Sequence, residues 1–210
     1  MIALFISLAV LLVLVILFII FYPRIIRRRY KKNYVSIYGK KIYRYALHND
    51  LYLINELELK CNDDQHITID HLLFGNKYIY VILDYYLPGL IEAKINDQSF
   101  LYTSMEKNAQ KVYIDNLLLR NENITKKLAF NLGLNPSLFV SLSLVDNDSE
   151  FKELKIDKKD NYMIHIANFK KLLDKLEARN VPPLNDDQLK YTVKDVFKLN
   201  ERRKTNSKHQ

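Results

Sequence analysis

The chain has 210 residues, room for a membrane anchor and one domain but hardly for two. It is 49% hydrophobic, and its single cysteine, Cys61, excludes an internal disulfide and any CxxC-type metal spacing. The net charge of +8 sits at the ends: residues 24–49 hold nine basic residues and no acid, while 50–197 hold 18 basic against 23 acidic residues, a mildly acidic body that does not favour nucleic acid as a partner, although it leaves one possible.

Residues 1–22, "MIALFISLAVLLVLVILFIIFY", carry no charge. As a helix they would measure about 33 Å, enough for a hydrocarbon core of about 30 Å. A cleaved signal peptide would need a basic start, a shorter apolar core and a small-residue cleavage site, and none is present. Arg24, Arg27, Arg28, Arg29, Lys31 and Lys32 follow at once. By the positive-inside rule they put the N-terminus outside and residues 24–210 in the cytoplasm, which predicts a single-pass protein of the cell membrane. The same six side chains suit anionic lipid headgroups, so residues 1–32 form the expected membrane contact. A lone cysteine agrees with a reducing compartment.

Beyond the basic flank, "SIYGKKIYRYALHN" predicts a short amphipathic helix. "LYLINELEL", 51–59, alternates with period two and predicts a half-buried strand. "CNDDQ" is a turn by composition. "HITIDHLLF" and "KYIYVILDYY" predict two strands joined by a hairpin turn at Gly75-Asn76. Pro88-Gly89 breaks the chain, and "LIEAKI" and "QSFLYT" predict a further pair of short strands. From Ser104, taken as an N-cap, Met105, Ala109, Val112, Tyr113, Asn116 and Leu117 recur at helical spacing and predict a helix. "SLFVSLSLV", 137–145, and "YMIHI", 162–166, predict strands. "NFKKLLDKLEARN" predicts an amphipathic helix ended by Val181-Pro182-Pro183. "NDDQLKYTVKDVFKLN" predicts another, capped by Asn185, with acids in the first turn. The organisation expected is a transmembrane helix 1–22, a basic juxtamembrane segment 23–37, an α/β domain 38–197 built on a central mixed sheet flanked by helices, and a basic disordered tail 198–210.

No Walker loop, GxSxG or HExxH is present. The motif that stands out is "ITIDHLLFGNKYIYVILDYYLPG". With "GKKIYRYALHNDLYLINEL" before it and "MEKNAQKVYIDNLL" after it, it resembles the nuclease-related domain family, NERD, a branch of the PD-(D/E)xK nucleases. Gly39, Asp70, His71 and Gly89 fall in register, as do Asn108 and Gln110 in the stretch that follows. The resemblance covers roughly 38–197 and implies a restriction-endonuclease-like fold. It also implies a Mg²⁺ site of two carboxylates on adjacent strands with a lysine that orients the attacking water. Of those positions only Asp70 keeps its chemistry. Lys40 stands in place of the first-helix glutamate, Leu83 in place of the second metal carboxylate and Tyr85 in place of the lysine.

The resemblance therefore implies a degenerate member, a pseudonuclease with a binding or scaffolding role, no cofactor and a protein partner that the sequence does not name. The alternative is an active membrane-tethered, Mg²⁺-dependent nuclease using Asp70, Glu92 and Lys94, the last two forming the literal ExK of "EAK", with the carboxylates holding the metal. That requires "LIEAKI" to lie beside the Asp70 strand. Asp84 would substitute only through a bulge, since neighbouring strand residues face opposite ways. A His66/Asp70 metal pair, base stacking on Tyr78, Tyr80, Tyr85 and Tyr86, and an unrelated α/β fold complete the readings.

Overall fold

The computed structural model of the protein describes residues 2–60, 66–92, 98–106, 108–153 and 159–200; for residues 2–10, Pro23 and Arg24 it describes the backbone alone. One helix, α1, runs Ile2–His48. The predicted break between an apolar helix and a short amphipathic one is absent, because nothing from Arg24 to Tyr38 is Gly or Pro and the stretch is rich in the good helix formers Arg and Lys. The chain divides into two units, Met1–Tyr38 and Gly39–Gln210. In the first, every residue from Leu11 to Tyr22 is exposed, as are Arg27, Arg28, Arg29, Lys31 and Lys32. Among the described residues no helix is long and apolar enough to cross a membrane. The side chains of the first ten residues of the predicted span, and that of Arg24, lie outside them.

The second unit is a mixed α/β body with two mixed sheets. Strands β1 (Tyr52–Lys60), β2 (His66–Phe74) and β3 (Ile79–Tyr85) form an antiparallel meander, as their alternation and the Gly75 turn predict. The chain then leaves for a second sheet through β4 (Gly89–Glu92), β5 (Ser99–Ser104) and β6 (Lys111–Asp115) before α2 (Leu117–Asn131). It returns as β7 (Phe139–Val145) parallel to β3, visits the second sheet with β8 (Ser149–Lys152), and adds β9 (Asn161–His165) parallel to β7. Helices α3 (Phe169–Glu177) and α4 (Asp186–Leu199) complete the body. The first sheet has the order β1-β2-β3-β7-β9, and the second β6-β5-β4-β8.

β3 and β7 are the spine, and their apolar runs are buried almost throughout, as expected for strands covered on both faces. One core cluster joins Leu57, Ile69, Leu72, Val81 and Phe139 to Leu128 of α2 and Val196 of α4. A second joins Ile91 and Phe100 to Leu117, Val145 and Met163.

The helix predicted from Ser104 is a correction. Ser104 Oγ accepts from Glu106 N (3.1 Å), closing a local turn. Asn108 is left-handed at φ 63°, and "KVYID" then pairs with β5 as β6. The helix starts only after Asn116, whose Oδ1 accepts from Leu119 N (2.9 Å). The predicted turn 61–65 and the tail 201–210 lie outside the described residues.

Candidate functional site

The site is built on the β2–β3 hairpin. His71 lies opposite Ile82 and Leu72 opposite Val81 at the end of the β2–β3 ladder, and continuing that register one step would bring Asp70 level with Leu83. On the other side of β2, Asn55 faces His71 and Leu57 faces Ile69, which leaves Glu56 across from Asp70. Glu56 is left-handed at φ 54°. The positions that join one core cluster change step there, from Ile54 to Leu57 and Leu59 in β1, and from Ile67 and Ile69 to Leu72 and Phe74 in β2. Period-two reading misses this paired kink, which centres on the one carboxylate of the motif.

Asp70 is half-buried, and its Oδ2 accepts from the backbone N–H of Asp84 (2.8 Å). The Asp84 side chain turns the other way. Its Oδ2 lies 2.9 Å from His71 Nε2, while His71 Nδ1 donates to Asn55 Oδ1 (2.7 Å). Both side chains are almost fully buried, 4% exposed for His71 and 1% for Asp84. Asn55 Oδ1 can only accept, so Nδ1 is the donor in that bond. Burial pushes the Asp84 carboxyl above its usual range, and the bond to His71 opposes that. Its other oxygen, Oδ1, is buried without a hydrogen-bond partner among the described residues, which agrees with burial winning. Gly39 of α1 closes the arrangement, since a Cβ there would stand 3.2 Å from His71 Cε1.

The positions that the resemblance assigns to the glutamate, second carboxylate and lysine are also described. Leu83 is 5% exposed and part of the core. The Tyr85 hydroxyl is pushed up to about 12, chiefly by burial, with Arg120 opposing. A phenol held neutral in this way cannot act as the ammonium of a lysine. Lys40 is exposed on α1. No match to this chain is found among protein-family models, curated proteins or solved structures.

Glu92 ends β4, whose neighbours are β5 and β8, whereas the neighbours of β2 are β1 and β3. The carboxylates of Asp70 and Glu92 thus belong to different sheets. Glu92 bridges Lys152 Nζ (3.1 Å) and Lys111 Nζ (3.2 Å), and these bonds hold its carboxyl below the usual range. Lys94 lies outside the described residues. His66 leans on Glu58 (3.8 Å). Tyr78 and Tyr80 are buried, their rings edge to face at 6.2 Å. Among the described residues no group of three His, Cys, Asp or Glu is placed to hold a metal. An open cleft of about 490 Å³ runs between β2 and α2, lined by His66, Thr68, Asp115, Arg120 and Lys127 among others.

Sequence reading missed the buried partners of His71. A signal existed in "VILDYY", where one carboxylate interrupts an apolar strand. A charge at such a position needs a partner, and the neighbouring histidine across the hairpin was the nearest available.

Proposed function

We propose that the chain is a membrane-anchored cytoplasmic protein. Its body would be a NERD-like, restriction-endonuclease-like domain that has kept the structural half of the hairpin and lost the metal half. Its role is then binding or scaffolding at the membrane, and the cofactor-free body works without Mg²⁺. The observation that carries this reading is the β2–β3 register, whose continuation past His71 and Ile82 brings Asp70 level with Leu83. A metal ion shared between those two positions needs a second carboxylate, and leucine offers no oxygen.

What the motif retains supports the same reading. Gly39 makes room for His71, His71 bonds Asp84, and Asp70 fixes the backbone of β3. Each has a role in holding the hairpin that requires no substrate. A mixed sheet flanked by helices agrees with the fold that the resemblance implies. For the anchor, the support is twelve consecutive exposed apolar residues, 11–22, followed by exposed Arg27, Arg28, Arg29, Lys31 and Lys32.

The test is a cleavage assay on the full chain in detergent, with Mg²⁺ or Mn²⁺ and single- and double-stranded DNA and RNA. The expected result is the same background for wild type, Asp70→Ala and Glu92→Ala. Metal-dependent cleavage that disappears in Asp70→Ala would overturn the proposal.

A further inference from the structure

β6 is the end strand of the second sheet and, among the described residues, pairs with β5 alone. Four of its five residues are exposed, Tyr113 at 78% and Val112 at 47%. A large exposed aromatic on a free strand edge is a ready template for another strand. Two of the other edges, β1 and β8, are obstructed. In β1, the N–H of Glu58 is taken by Asn200 Oδ1 (3.2 Å) and the strand kinks at Glu56. In β8, Ser149 O accepts from His165 Nε2 (2.7 Å), and Glu153 just beyond the strand is left-handed at φ 62°.

The sequence of β6, Lys111-Val112-Tyr113-Ile114-Asp115, is complementary to itself when reversed. Antiparallel pairing centred on Tyr113 sets Lys111 opposite Asp115 of the second copy, twice by symmetry. Val112 then meets Ile114, and the two Tyr113 rings meet at the axis. Opposite charges, aromatic pairs and β-branched pairs are the favourable cross-strand combinations. A two-fold axis normal to the sheet keeps both core faces on one side. There Ile114 packs with Phe100 and Ile91, while Lys111, Tyr113 and Asp115 share the other face. We propose that β6 is the seam of a symmetric dimer in which two copies of this chain join their four-stranded sheets edge to edge. The interface is isologous and closed, since each copy uses the same edge. It does not depend on the functional reading above.

The test uses the full chain in detergent with Cys61→Ser. Across an antiparallel rung centred on residue 113 the Cα atoms would stand about 4.5–5.5 Å apart, within disulfide reach. Tyr113→Cys is therefore expected to oxidise readily to a covalent dimer. Glu150→Cys, exposed on the opposite edge strand, is expected to stay monomeric. Charge variants give a readout that a folding defect cannot produce. Lys111→Asp alone and Asp115→Lys alone each set like charges opposite each other and should weaken dimerisation at least about tenfold. An equimolar mixture of the two restores both Lys–Asp rungs and should dimerise to nearly the wild-type extent. Glu92 keeps its bond to Lys152 in the first variant. Oxidation of Tyr113→Cys no faster than Glu150→Cys, or a mixture no better than its components, would overturn the proposal.

Discussion

His71→Leu is expected to destabilise the protein by about 1–3 kcal/mol, the range for leaving a buried polar group without its partner. The substitution strands the Asp84 carboxyl, whose side chain is 1% exposed and whose Oδ1 already lacks a partner among the described residues. Asn55 loses its donor at the same time. Adding Asp84→Leu should recover most of the loss, because an apolar pair of similar volume needs no compensation. The measurement is a double-mutant cycle by denaturant unfolding, and a coupling below about 1 kcal/mol would contradict the role given to the pair. The pH dependence has a definite sign. Burial raises the folded-state pKa of Asp84 above the ordinary 3.8, so the folded protein holds a proton that the unfolded chain has released. Stability from this group is therefore present below about pH 4 and declines as pH rises towards the folded-state value. Removing His71 removes the interaction that lowers that value. The decline in His71→Leu should thus reach to higher pH than in wild type.

Gly89→Ala is expected to cost about 3 kcal/mol, from strain and overlap combined. Gly89 has φ +139°, a backbone conformation that L side chains rarely adopt. A Cβ there would press on the carbonyl oxygen of Thr103 and stand 3.0 Å from two backbone atoms of Ser104. These atoms belong to β5, paired with β4 at that rung, so no side-chain rotation relieves the contact. Gly133 is the internal control. It too has a positive φ, +63°, but nothing lies within 4 Å of an added Cβ. Gly133→Ala should cost about 1 kcal/mol from backbone strain alone. Hydrogen exchange should report faster opening of β4 and β5 in Gly89→Ala, with β2 and β3 little changed. Equal losses in the two variants would contradict the close approach of the strands.

The body was most legible where packing repeats with a simple period. β1, β2, β3, β7 and β9 bury continuous or alternating apolar runs, and α3 buries Phe169, Leu173 and Leu176 on one stripe. The β2–β3 hairpin was legible too, but its register was not, since the turn extends past Gly75-Asn76 and pairs Phe74 with Ile79. Three other features were not legible either. β6 carries helix-compatible spacing, and its pairing with β5 decided the matter against that local pattern. β8 is four residues long with two charges, too short to show a period. The kink at Glu56 follows from a left-handed backbone that no residue type announces. For the site, the His71–Asp84–Asn55 arrangement depends on a third strand, and local alternation says nothing about which strand that will be.

The most direct measurement is a calorimetric titration of Mn²⁺ into the full chain in detergent, compared with Asp70→Ala. The proposed loss of the metal half of the hairpin requires the two titrations to coincide, with no stoichiometric site in either. A one-to-one site present in wild type and absent in Asp70→Ala would contradict it, and would make Asp70 a ligand with partners beyond Leu83.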